Sequence, residues 1–294
     1  MIRKYNLKDM RLIYLMIFSV MFISSIAPVT FPLPVLNWVQ DFYNTMENGV
    51  TVSFATPART FGPITDGSRV LIYFGGETSS LWGDMSESTM AIFKYLVSKH
   101  AHVLIYCTSA VLLNVLDIYI FPLIYGGAPV NSPLYGTEVV NLGFVSGGDA
   151  LLEQWRTSII AITPRDVYGK LLSSLQMMSS IDSTKSDIDL IIGFDARAVD
   201  SAFVIRDNNR VLLVAGTDSA SYLAYYYTAG FVKGCIYGQN QGAQFEILSG
   251  IKGKAMSYAQ NTLILGTIMT GVIVASNIRY RMNLGKKQQT GGVK

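Results

Sequence analysis

The chain has 294 residues, 23 Lys and Arg against 20 Asp and Glu, a formal net charge of +3, and only 15% charged residues. Soluble proteins carry about a quarter, and the mean hydropathy here is +0.33, which argues against a purely water-soluble globule. The basic excess lies mainly in the two tails, so nucleic acid is not an expected partner. Two His and two Cys leave too few ligands for a zinc or haem site, and no metal or cofactor is expected.

Residues 12–40 contain no Asp, Glu, Lys or Arg. About 20 apolar residues cross a bilayer as a helix. Arg3, Lys4, Lys8 and Arg11 precede this stretch. A cleavable signal peptide is the competing reading, with Ser24, Ser25 and Ala27 near a cleavage point. The apolar run continues past them through Val29, Phe31 and Leu33 to Leu36, too far for an ordinary signal core, so the reading adopted is a retained anchor. Pro28, Pro32 and Pro34 end or kink the helix near its outer end.

A juxtamembrane helix is expected over residues 35–46. Beyond it, short apolar runs alternate with helical patterns. Strands are expected at residues 70–74, 103–107, 138–143, 189–194 and 210–216, because each run is continuously apolar and most end in glycine or a small polar residue. Helices are expected at residues 89–98, after Thr108 or Ser109 as cap, at residues 150–160, and at residues 220–228 behind Asp218 or Ser219. Strands joined through helices mean right-handed crossovers and a mostly parallel sheet covered on both faces. The expected fold is α/β: one Rossmann-like three-layer domain. Between residues 101 and 137 only Asp117 is charged, and a membrane hairpin there is the alternative to a strand, a helix and a proline- and glycine-rich loop.

A second uncharged stretch covers residues 255–278, followed by Arg279, Arg281, Lys286, Lys287 and Lys294. Positive flanks on both stretches place both tails in the cytoplasm and the intervening domain outside. The roughly 215 residues between the stretches suffice for one large domain or two small ones. The expected organisation is a cytoplasmic tail (1–11), a transmembrane helix (12–34), a juxtamembrane helix and linker (35–66), the extracytoplasmic α/β domain (67–228), a glycine-rich juxtamembrane helix (229–254), a second transmembrane helix (255–278) and a basic cytoplasmic tail (279–294). Cys107 and Cys235 lie outside the cytoplasm in this scheme, where pairing is chemically open. Their apolar surroundings favour two buried free thiols.

Ligands of parallel sheets bind beyond the carboxyl ends of the strands. The loops meeting there supply Gly75, Gly76, Thr108, Gly147, Gly148, Asp195, Gly216, Thr217 and Asp218 as a candidate small-ligand or anion site. The same residue types also serve simply to turn the chain and cap helices. No G-x-G-x-x-G follows the first strand, and no phosphate-binding P-loop or Gly-x-Ser-x-Gly elbow occurs. His100 and His102 precede a strand, so a Ser-His-Asp triad is not expected. Glu77, Asp84, Glu87, Asp149, Asp195 and Asp218 offer carboxylates whose pairing sequence does not reveal. No catalytic residue is assigned.

Gly230, Gly234, Gly238 and Gly242 recur every four residues. On a helix they form one stripe that admits a close neighbour, at about 1 kcal/mol per glycine relative to alanine. In a loop the spacing is coincidence. Thr267, Gly271 and Ala275 repeat the pattern in the second apolar stretch. Both sets are candidate helix-association surfaces, within the chain or between subunits.

Three segments carry a family resemblance. They are residues 138–148 (EVVNLGFVSGG), residues 214–219 (VAGTDS) and residues 234–246, which end GAQFE. Together they resemble a family of uncharacterised prokaryotic membrane-anchored proteins with a Rossmann-like outer domain. The resemblance implies architecture and carries over no activity. The functional expectation is a non-enzymatic membrane protein whose outer domain serves assembly or scaffolding in a homo- or hetero-oligomer. The alternatives are a small-ligand sensor or receptor subunit and a carboxylate-dependent hydrolase or transferase.

Overall fold

Apolar runs without polar alternation are the strands of a single parallel sheet. In the computed structural model these are β3 (Arg69–Phe74), β4 (His102–Cys107), β5 (Val139–Phe144), β6 (Leu190–Phe194), β7 (Arg210–Ala215) and β8 (Cys235–Tyr237). The structure describes residues 37–52, 59–75, 85–145, 148–155, 157–181, 188–194, 210–215 and 225–251. It also describes helical positions at 14, 19, 266, 267, 269–271, 273, 274, 278 and 279. The chain divides into two units, one made of Pro34–Ala255 and the other of Met1–Leu33 and Met256–Lys294.

The strand order is β5-β4-β3-β6-β7-β8, and every neighbouring pair is parallel. Counted by appearance this is 3-2-1-4-5-6, the order of a doubly wound, Rossmann-like sheet. The topological switch lies between β3 and β6, where Val70 faces Leu190 and Phe74 faces Phe194. Both faces are covered, which is why the strands need no polar side. Val70, Ile72, Phe74, Ile105 and Ile192 point into one core, and Leu71, Tyr73, Leu104, Tyr106 and Ile191 into the other.

The first core is covered by α1 (Asn37–Glu47), α2 (Ser86–Ser98), a helix built from α3 (Ala110–Val115), a π turn (Leu116–Ile120) and α4 (Phe121–Tyr125), and α8 (Gly238–Ser249). Aromatic rings knit it together. Phe74 stacks on Phe194 at 4.6 Å across the switch, and Phe42 meets Phe245 edge-on at 5.6 Å. The second core is covered by α5 (Gly148–Trp155), α6 (Ile159–Ile162) and α7 (Gln176–Ile181). There Trp155 packs edge-on against Tyr106 at 5.0 Å and donates its Nε1–H to Thr163 Oγ1 at 3.0 Å.

Edge strand β5 is protected rather than bare. The Asn141 carbonyl accepts the Val167 N–H at 3.0 Å, and the Asn141 N–H donates to the Tyr135 hydroxyl at 3.5 Å. The register of β5 on β4 slips by one residue at Ile105/Tyr106. Gly143 supplies the φ of +70° for this bulge, and a Cβ there would stand 2.7 Å from Val167 Cγ2.

Three local expectations are corrected. Residues 229–254 are not one helix. The chain turns at Gly230 (φ +75°), adds Cys235–Tyr237 to β7 as a sixth strand, and begins α8 at Gly238. Backbone pairing with an open strand edge wins over helical glycines that would each cost stability. The helix expected over residues 150–160 breaks before Ser158, whose hydroxyl accepts the Ala161 N–H and caps α6. A small antiparallel hairpin, β1 (Val50–Val52) with β2 (Arg59–Phe61), occupies what was expected to be linker.

Candidate functional site

Two of the nine candidate strand-end residues are seen bonding neighbouring strand ends, Gly75 at the switch and Thr108 one strand away. The buried Gly75 donates its N–H to Phe194 O at 3.0 Å. Phe74 O accepts both the Thr108 N–H at 2.9 Å and the Thr108 hydroxyl at 3.3 Å. These bonds fasten β4, β3 and β6 to one another just where their carboxyl ends open. Gly148 begins α5 after β5. Gly76, Gly147, Asp195, Gly216, Thr217 and Asp218 lie outside the described residues. Of the acids considered for paired chemistry, Glu87 is buried in α2 and accepts the Ser86 hydroxyl at 2.8 Å. Glu77, Asp84, Asp195 and Asp218 lie outside the described residues, as does the side chain of Asp149.

Both histidines sit at the amino end of the sheet, away from that edge. His100 takes φ +53° in the turn before β4, and its Nδ1 is 3.0 Å from Glu138 Oε1. This hydrogen bond raises the His100 pKa, while burial lowers that of His102. Nearby, Arg69 binds Asp189 through its Nε at 3.2 Å, and the Arg69 N–H donates to Asp189 Oδ2 at 2.9 Å. Among the described residues no three His, Cys, Asp or Glu side chains are arranged to hold a metal ion.

The candidate glycines play separate parts. A Cβ on Gly234 would lie 2.2 Å from Phe42 N, so Gly234 lets the strand lead-in press against the α1 backbone. A Cβ on Gly242 would lie 2.4 Å from Ser88 Oγ, at the crossing of α8 and α2. Gly230 and Gly238 are turn positions with positive φ. In the terminal unit Thr267 is helical and exposed. Gly271 is helical, with open space where its Cβ would stand. Ala275 lies outside the described residues.

A polar cluster that the sequence reading did not assemble lies beneath the π turn. Tyr168 approaches both Asp117 and Asn141 there. Yet Asp117 Oδ1, Tyr168 Oη and Asn141 Nδ2 are each buried without a hydrogen-bond partner of good geometry. Burial raises the Asp117 pKa against the lowering contribution of Tyr168 and pushes the Tyr168 hydroxyl up to about 12. Behind them the Tyr135 hydroxyl donates to Asp166 Oδ2 at 2.6 Å. Asp166 Oδ1 accepts the N–H groups of Tyr168 and Lys170, and Lys170 Nζ stands 4.9 Å over the Tyr135 ring. The signal in the sequence was Asp117 itself, a lone charge in a 37-residue uncharged neighbourhood spanning residues 101–137.

The outer face of the same helix carries no charge and is mostly apolar, with Asn114 its exposed polar residue. Val111, Ile118 and Leu123 are 58%, 72% and 46% exposed. Among the described residues, Ala110–Asn131 is long and apolar enough to cross a membrane, with mean hydropathy 1.6. Here it forms the β4–β5 crossover, with Leu112, Val115, Leu116, Ile120 and Phe121 in the core. The two terminal stretches expected to span the membrane lie outside the described residues apart from scattered helical positions. Of these, Tyr14, Met269, Val274 and Ile278 expose apolar side chains.

No family model matches the chain, and neither a curated protein nor a solved structure matches it.

Proposed function

We propose that this chain is an integral membrane protein that spans the bilayer twice, with both tails cytoplasmic, and whose extracytoplasmic α/β domain serves as an assembly or scaffolding element. The observation that carries this reading is the uncharged outer face of Ala110–Tyr125. A helix that faces water on one side normally presents charges there, whereas this one presents Val111, Ile118 and Leu123. Three exposed apolar side chains on one charge-free helix face are a candidate contact surface. The uncharged terminal stretches with basic flanks support the membrane placement, and the open face of Gly271 suits helix packing within the bilayer.

The test is photocrosslinking from a benzoyl-phenylalanine at Ile118 or Leu123 in intact membranes, with exposed Gln154 on α5 as control. Discrete adducts from the first two positions and none from the third support the reading. Native mass spectrometry of the detergent-extracted chain supplies the second arm: a clean monomer, or an oligomer left unchanged by Ile118→Asp, sinks it.

A second reading, a small-ligand sensor, is favoured by Gly75 at the topological switch and Thr108 at the neighbouring carboxyl end of β4, since ligands of doubly wound sheets bind beyond these strand ends. A small molecule retained by the purified monomer is the result that would prefer it.

A further inference from the structure

We propose that Asp117, Tyr168 and Asn141 form a proton-operated latch beneath the π turn: with Asp117 neutral, the helix Ala110–Tyr125 is held on the sheet, and loss of its proton to water frees that helix to open. The geometry has three parts. First, the helix is interrupted by a π turn at Leu116–Ile120, an irregularity that is rare and frequent at functional sites. Second, the turn leaves Asp117 half-buried, with its Oδ1 shut off from water and unpartnered, although the flanking Ile118 is 72% exposed. Third, every group facing Asp117 is neutral or able to become negative. From β4 comes the buried Cys107 thiol. From the loop after α6 comes the Tyr168 hydroxyl, which has the Asn141 amide of β5 and Asp166 close to it in turn. None is a cation, and Lys170 sits over Tyr135 instead.

Ionisation here leaves a carboxylate with one hydroxyl, that of Tyr168, as its nearby donor. Buried charge without a counter-ion is costly, and the group avoids it by holding its proton or by leaving the site. The neutral carboxyl fits because it can either donate to or accept from the Tyr168 hydroxyl. Opening the helix exposes Asp117 to water, where its ordinary acidity returns. The sign follows from that difference. Asp117 has a higher pKa when the helix is closed, so the latch is complete below the ordinary aspartate value of about 3.9 and weakens as pH rises towards the closed-state value. Above that value the weakening levels off.

The test is hydrogen exchange by mass spectrometry on the full chain in detergent, read as protection factors corrected for intrinsic rates, from pH 4 to pH 8. For the wild type, protection of the 110–125 amides should fall by up to about tenfold per pH unit and then plateau, and this fall should exceed any change in β3 and β6. Asp117→Asn should flatten the profile. Tyr168→Phe keeps the ring but removes a donor to the carboxylate, so the fall should extend to higher pH. Parallel pH profiles for the wild type and Asp117→Asn overturn the proposal. So does a Tyr168→Phe profile superimposable on the wild type, which keeps the test decisive should Asp117→Asn fail to fold.

Discussion

Trp38 donates its indole N–H to Gln241 Oε1 at 3.0 Å across 203 residues of sequence. The same oxygen accepts the Tyr237 N–H at 2.8 Å. Gln241 thus bridges α1 to the junction of β8 and α8, closing the domain with its first and last helices. Phe42 against Phe245 and the Tyr227 hydroxyl on Asp41 extend the seam.

Removing the bridge should cost more than removing one donor. Trp38→Phe loses one hydrogen bond and should destabilise by about 1 kcal/mol, whereas Gln241→Leu strands two donors and should cost about 2 kcal/mol or more. Denaturant unfolding in detergent, followed by tyrosine and tryptophan fluorescence, checks the order. Equal effects would show that Gln241 does not bridge.

The glycines at positions 234 and 242 should respond in opposite ways to alanine. At Gly234 the new Cβ meets backbone, Phe42 N at 2.2 Å and Phe42 Cα at 2.4 Å. Nothing there can rotate away, so Gly234→Ala should cost about 3 kcal/mol or more. At Gly242 it meets Ser88 Oγ, which can turn aside, and alanine regains about 1 kcal/mol of helix propensity. Gly242→Ala should therefore stay within about 1 kcal/mol of the wild type. Thermal melts of the two variants compare them directly.

The thiols should not pair under any mild oxidation. Cys107 is on β4 and faces the first core, while Cys235 is on β8 and faces the second. Four strand spacings separate them, about 19 Å, far beyond the about 7 Å limit between disulfide-linked Cα atoms. Burial pushes the Cys235 thiol up to about 12 and that of Cys107 higher still. Alkylation of Cys235 by iodoacetamide should appear only with global unfolding, whereas Cys107 lies in the core that the helix Ala110–Tyr125 covers and is also reached when that helix opens. Rapid labelling of Cys235 in the native protein would contradict its burial.

The two histidines should titrate on opposite sides of the ordinary value of 6.5. His100 is raised by its hydrogen bond to Glu138, so its contribution to stability is complete below 6.5 and is lost as pH rises through the folded-state value. His102 is lowered by burial and works the other way: its stabilising effect is present above 6.5 and is lost as pH falls through its depressed value. Proton NMR of the imidazole resonances measures both midpoints. Glu138→Gln should bring the His100 midpoint down, and an unmoved midpoint would remove the pairing as its cause.

Legibility in the sequence followed how local each signal was. The runs at Val70–Phe74 and Val103–Cys107 announce buried parallel strands because both sheet faces are apolar, and they differ from β3 and β4 only in lacking Arg69 and His102. The helix expected from residue 35 starts at Asn37. Strand β8 was hidden because three residues, Cys235–Tyr237, carry no periodicity and sit inside a glycine spacing that mimics a helix stripe. The π turn was equally invisible, since its extra residue alters hydrogen bonding without a compositional mark. At the candidate site Gly75 and Thr108 were legible from strand ends. The grouping of Asp117 with Asn141 and Tyr168 was not, because it depends on which loop covers the β5 edge.

The Trp38–Gln241 bridge also sets a clock on biosynthesis. With residues added at roughly 5–20 per second, Trp38 leaves the ribosome on the order of 10–40 s before Gln241 exists. Through that interval the apolar residues Val39, Phe42 and Met46 have no α8 to cover them. The domain can therefore be finished only after Gln241 has been added, and a nascent chain halted before residue 241 would present an adhesive helix to whatever stands beside it.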